Sequence, residues 1–133
     1  MNQRTTLPPG VTAQLLLDVF DLPISFHRCL VPITGSVTAA LMLSEAIWIS
    51  EQLHPEAKGW FCRSQEEWTE ETGLSHSEQE TARRALRDAG FIEELHAGSP
   101  AKLWFRVCPV PVSRAMRARA DQLGLAGSDS SGA

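Results

Sequence analysis

Ser77, Thr81 and Arg84 lie four and three residues apart, which puts two hydroxyls and a guanidinium on one face of a helix. Such groups can read base edges: Arg pairs bidentately with guanine, and Ser or Thr pairs with several bases. Glu80, on the same line, could accept a hydrogen bond from a cytosine amino group, although it would repel a misplaced phosphate. His76 at the tip and Arg87 further along could meet phosphates, and Arg83 adds a third arginine to the set. The plain alternative is a solvated helix face, with Glu80–Arg84 and Arg84–Asp88 available as i,i+4 pairs.

A face of this kind needs a helix that starts, stops and leans on a neighbour at fixed places. Two consecutive Ser-x-x-Glu capping boxes supply the starts, Ser64 to Glu67 and Ser75 to Glu78. In each, the Ser side chain satisfies an orphan backbone N–H and the Glu reaches back to the cap. Gly73 supplies the left-handed residue that ends the first helix, and Leu74 can turn inward to bind the two together. The second helix, Ser75 to Ala89, has Gln79, Ala82, Leu86 and Ala89 on its inward line, and Gly90 closes it. Phe91 to His96 and Lys102 to Val110 then read as two strands around Gly98-Ser99-Pro100. Leu103, Phe105 and Val107 alternate there with Trp104, Arg106 and Cys108. A helix-turn-helix followed by a hairpin is a winged helix-turn-helix, a mainly α fold with a small antiparallel hairpin or sheet. Its usual work is docking on duplex DNA. In that reading His96, Ser99 and Lys102, on and beside the wing, touch the flanking phosphates; otherwise the wing is an ordinary hairpin turn. Arg63, just before the first helix, could meet a phosphate or pair with Glu66 or Glu67, and the pair is favoured.

The remaining chain supplies the support. Residues 1 to 10, with Pro8-Pro9-Gly10, read as a flexible arm, and Val11 to Phe20 is ambiguous between strand and short helix. Ser25 to Ile33 fits a short helix or an extended segment, ended by Pro32 and Gly35. Ser36 to Leu53 is a largely buried helix with Ser36 as N-cap and Val37, Ala40, Leu41, Leu43, Ile47 and Ile49 as its apolar set. Pro55 to Gly59 is a loop, and Trp60 to Arg63 a short strand. Trp68 anchors the first helix of the pair, and core packing accounts for Trp48, Trp60, Trp68 and Trp104, with Trp104 partly exposed. Pro109 and Pro111 end the sheet. Val112 to Leu123 is an amphipathic helix with Val112, Met116, Ala120 and Leu123 as a thin apolar stripe. The domain organisation is an arm over 1–10, a winged helix-turn-helix domain over 11–110, a C-terminal helix over 111–125 and a disordered tail over 126–133.

Composition narrows the function classes. The chain of 133 residues has one domain's length, 43% hydrophobic residues and a net charge of −4. That balance argues against broad, sequence-blind binding to phosphates. Cys29, Cys62 and Cys108 read as buried free thiols of a cytoplasmic protein, since no signal peptide or membrane span is evident. The histidines lack metal-ligand spacing, and no phosphate loop, paired-carboxylate signature or nucleophile motif stands out. Neither an enzyme nor a metal, cofactor or small-molecule site is expected.

One ordered series of segments goes further. Gly35-Ser36-Val37, Ala40-Leu41, Leu43-Ser44 and Ile47-Trp48 are followed by Gly59-Trp60-Phe61 and by Glu66-Glu67-Trp68. Then come Glu70 to Ser75, Arg83, Leu86, Gly90-Phe91-Ile92 and Pro100 to Arg106. The series resembles the winged-helix proteins of phages, prophages and plasmids, several of which resemble replication-initiation or replisome-organising N-terminal domains. It covers roughly residues 25 to 107. The resemblance implies sequence-specific duplex DNA binding, in replication initiation or transcriptional regulation. Family members usually carry several Lys or Arg on the outward face, where this chain has His76, Glu80, Thr81 and Ala85. From 59 to 107 there are six basic and nine acidic residues, net −3. The alternative is therefore an acidic module for protein interaction or oligomerisation, or a DNA mimic, that binds no DNA. Arg114, Arg117 and Arg119 form the densest basic cluster; they could contact nucleic acid or an acidic partner, or be a solvated face, and their helix could pair two copies.

Overall fold

The polypeptide is mainly helical, with a small three-stranded antiparallel sheet, in a computed structural model that describes residues 9–10, 12–14 and 26–124. The expectations for the arm, for Val11 to Phe20 and for the tail lie wholly or largely outside these residues.

A 3-10 turn, Arg28–Leu30, runs into the short helix α1, Val31–Thr34. Gly35 ends it at φ 90°, a left-handed conformation that a side chain would strain. The chain then bends by 117° into α2, Val37–Gln52. Ser36 caps α2 as expected, its Oγ accepting from the Ala39 N–H at 3.1 Å. Ala39, Ala40, Met42, Leu43, Ala46 and Ile49 are buried against the rest of the molecule. Two expectations fail here. Val37 is 60% exposed and Trp48 is 49% exposed. They stand eleven residues apart, about three turns, on the stripe of α2 that the core leaves open. Among the described residues no single helix is long and apolar enough to cross a membrane.

After a 3-10 turn, Pro55–Ala57, come β1 (Trp60–Cys62), α3 (Gln65–Thr72) and α4 (His76–Asp88). β2 (Ile92–Ala97), β3 (Lys102–Val107) and α5 (Pro109–Gln122) follow. The strands lie in the order β1-β3-β2, all antiparallel, with Phe61 opposite Phe105 and Glu94 opposite Phe105. Both capping boxes form: Ser64 and Glu67 bond reciprocally, as do Ser75 and Glu78. Gly73, at φ 79°, closes α3, and Leu74 turns into the core.

The inner face of the sheet carries Phe61 and Phe105, which stack with ring centroids 5.8 Å apart; Trp68 meets Phe105 edge-on at 5.4 Å. Trp68 is thus the one tryptophan in the described core. Trp60 and Trp104 are half-buried because the pleat turns them to the opposite face from Phe61 and Phe105. Gln79 is fully buried, and its Nε2 donates to Gln65 O, Thr69 Oγ1 and Leu74 O at 3.0, 2.9 and 3.1 Å. One amide therefore ties α4 to the start and the middle of the preceding helix and to the turn. Ala89, expected inward, is exposed because α4 has already ended at Asp88.

α5 starts three residues before its expected position. Pro109 does not stop the chain; it opens the helix, where its missing N–H would be unpaired anyway and its fixed φ suits the first turn. α5 packs on α1 through a face that includes the buried Val112 and the partly buried Ala115. Met116 and Leu123 of the expected stripe remain exposed. The three cysteines are free, but Cys29 is exposed and Cys62 and Cys108 are half-buried, against the expectation of buried thiols.

Candidate nucleic-acid interface

The capping of α4 and the anchoring of Gln79 fix which side of the helix looks outward. His76, Ser77, Glu80, Thr81, Arg84 and Arg87 are all exposed, as their spacing requires. Arg84 has Glu80 as its carboxylate neighbour, at 3.8 Å with both side chains mostly in solvent. Such a pair holds its partners weakly. At the other end of the surface, His96, Ser99 and Lys102 are exposed around the hairpin turn.

Arg83 belongs to a different environment. It sits four residues after Gln79 and three before Leu86, on the side that faces the sheet. Its Nε and Nη2 donate to the two carboxylate oxygens of Glu94, each at 2.8 Å, and its guanidinium lies 5.8 Å from the centre of the Phe105 ring. Arg87 Nη1 adds a third bond to Glu94, at 2.7 Å. Burial alone would raise the carboxyl pKa of Glu94, but the bonds from Arg83 and Arg87, with their charges, outweigh it and hold the pKa below the usual value. The same bond to Glu94 raises the pKa of Arg83 against the effect of its burial. Arg83, expected on the reading face, is instead the bolt between α4 and β2. Arg87 is half committed to the same carboxylate.

Arg63 pairs, as favoured, but not with the expected partner. Its Nε bonds Glu71 Oε1 at 2.7 Å and its Nη1 bonds Cys62 O at 2.9 Å. Glu67 is already engaged on the Ser64 N–H at 2.9 Å, a bond that lowers its pKa, so the guanidinium reaches one turn further to Glu71. On the outer face of the sheet, Arg106 stacks 4.7 Å from the Trp60 ring centre and bonds both oxygens of Glu93. The Arg106 bond, then that from Cys108, lowers the Glu93 pKa; burial, then Glu93, raises that of the Cys108 thiol.

A cleft of about 360 Å³ runs between the start of α3, the middle of α4 and the root of β3. Its walls include Trp68, Leu103 and Phe105, and Lys102 stands on its lining with Glu67. Among the described residues no group of three or more His, Cys, Asp or Glu could hold a metal ion.

Sequence reasoning missed Glu94 as an inward group, counting it with the surface acids. The signal was present: pairing Ala97 with Lys102 across the turn places Glu94 opposite Phe105, on the core face. No protein-family model, curated protein or solved structure matches this chain.

Proposed function

We propose that this chain is a winged helix-turn-helix module that reads duplex DNA with α4. The element order α2-β1-α3-α4-β2-β3 and the sheet order β1-β3-β2 support that fold. In this reading α4 enters the major groove, Ser77, Thr81 and Arg84 meet base edges, and His76, Ser99 and Lys102 meet phosphates. The observation that carries it is the outward line of α4. It is polar, exposed and free of bulky apolar groups, and Arg84 on it is held only loosely. The resemblance to mobile-element proteins adds a role in replication initiation or transcriptional regulation.

Few phosphates are engaged, because Arg63, Arg83 and Arg106 are occupied by carboxylates. Two or three contacts give a loss of affinity on the order of tens-fold between 50 and 200 mM salt. Selection from a randomised duplex pool at low salt tests the reading: a recovered motif supports it, and an unenriched pool from folded protein rejects it.

One observation favours the alternative of an acidic interaction module. Glu66 and Glu70 are exposed on α3 with no ion pair among the described residues. An unenriched DNA pool together with a captured basic partner would decide for it. Self-association is part of either reading, through α5, where Val110, Met116 and Leu123 are exposed. Sedimentation measures it.

A further inference from the structure

β2 is an edge strand: in the order β1-β3-β2 it has β3 on one side and no strand on the other among the described residues. The Cys108 N–H donates to Phe91 O at 2.8 Å, which fixes the parity of the ladder. With Ile92 opposite Val107, the residues Glu93, Leu95 and Ala97 turn their backbone groups to β3. The N–H and C=O groups of Ile92, Glu94 and His96 point the other way, off the sheet. Among the described residues no hydrogen bond reaches them.

Folded proteins guard such an edge with charged side chains, a proline or a bulge. β2 has no proline, and its register on β3 runs unbroken from Ile92 to Ala97. Its two carboxylates are already engaged within the chain: Glu93 by Arg106 on the outer face, Glu94 by Arg83 and Arg87 on the inner face. Next to them Leu95 stands 49% exposed on the outer face, opposite the half-buried Trp104. The strand is also self-complementary. Two copies can pair antiparallel through the outward groups only if the two-fold axis falls on a residue, since even-numbered residues must meet even-numbered ones. Centred on Glu93 or Glu94, that glutamate opposes its own copy. Centred on Ile92, His96 or Ala97, the overlap shrinks. Centred on Leu95, the two leucines meet, Glu94 meets His96 of the second copy, Glu93 meets Ala97, and no like charges oppose.

We propose that two copies of this chain pair edge to edge through β2, antiparallel, with Leu95 on the two-fold axis, so that their sheets join into one. On the outer face an apolar row then crosses the interface: Cys62, Trp104 and Leu95 of one copy, and the same three of the other in reverse. Such an interface is isologous and closes at two copies. It rests on β2 alone and stands whether or not α4 meets DNA.

Sedimentation equilibrium of the intact chain tests this, and the wild type is expected to be a dimer. Leu95→Lys puts like charges on the axis, and His96→Pro removes an outward N–H that β3 does not use. Each change acts twice across the axis and should weaken the dimer by about tenfold or more, with the fold checked by circular dichroism. Leu95→Cys reads the register. Opposed residues of a non-hydrogen-bonded antiparallel pair have Cα atoms about 4.5 Å apart, within disulfide range. Mild oxidation should therefore link two Leu95→Cys chains and not the parent, both carrying Cys29→Ser to remove the exposed thiol. A monomeric wild type at high concentration overturns the proposal. So does a dimer that persists in both folded variants, which places the contact elsewhere, on α5 for example. If either variant fails to fold, the oxidation decides: a dimeric chain that forms no Leu95→Cys cross-link overturns the edge pairing.

Discussion

At the seam between α4 and the sheet, one carboxylate, Glu94, faces two guanidiniums, Arg83 and Arg87. At the seam between α2 and α3, two carboxylates, Glu45 and Glu71, face one guanidinium, Arg63. The ratio is inverted and the shifts are opposite: the bonds and charges of Arg83 and Arg87 lower the Glu94 pKa against its burial, whereas burial, then the charge of Glu71, raises that of Glu45 against Arg63. The first seam is fully ionised and closed at neutral pH. Where a net charge of −4 falls on a small fold, it matters less how many acids there are than which seam each one enters.

The largest expected effect comes from breaking the first seam. Arg83→Met leaves Glu94 buried with Arg87 alone. Removing one partner of a buried pair costs about 3–5 kcal/mol, and the surviving Arg87 bond places the loss near about 3 kcal/mol in urea unfolding. The inverted ratio is sharpened by pH. Glu94 contributes stability that is present above the usual 4.5 and lost as pH falls through its lowered value. Glu45 contributes in the opposite direction, upward from 4.5. Melting temperature should therefore fall as pH drops through the lowered Glu94 value. Glu94→Gln should flatten the acid side only.

Arg84 lies outside both seams. Arg84→Ala should change folding stability by less than about 0.5 kcal/mol. It should weaken binding to a selected duplex by about 5- to 150-fold, the range for losing one bidentate base contact. Smallest of all is Glu80→Ala, which removes an exposed i,i+4 pair and should cost about 0.3–0.5 kcal/mol in the same unfolding assay.

Local signals made much of this legible from sequence. The capping boxes at Ser64 and Ser75, the left-handed Gly73 and the inward line of Gln79, Ala82 and Leu86 are short-range features, and the structure holds them in place. So is the alternation that buries Phe105. What escaped depends on contacts between elements. Glu94 and Arg83 are charged, and charge alone places them outside; only the register of β2 on β3 and the docking of α4 bring them together inside. Val37 and Trp48 fit an apolar helix, and which stripe of α2 stays open depends on how many elements pack around it. Arg63 chose Glu71 because the cap had already engaged Glu67.

Nitrogen-15 chemical-shift mapping with duplex DNA at low salt tests the central claim most directly. The account predicts perturbations that grow with DNA, fade with salt and cluster at His76, Ser77, Thr81 and Arg84, with Ser99 and Lys102 beside them. An unmoved spectrum, or changes confined to Glu66 and Glu70 of α3 or to Arg114 and Arg117 of α5, would contradict the assignment of α4 as the reading element.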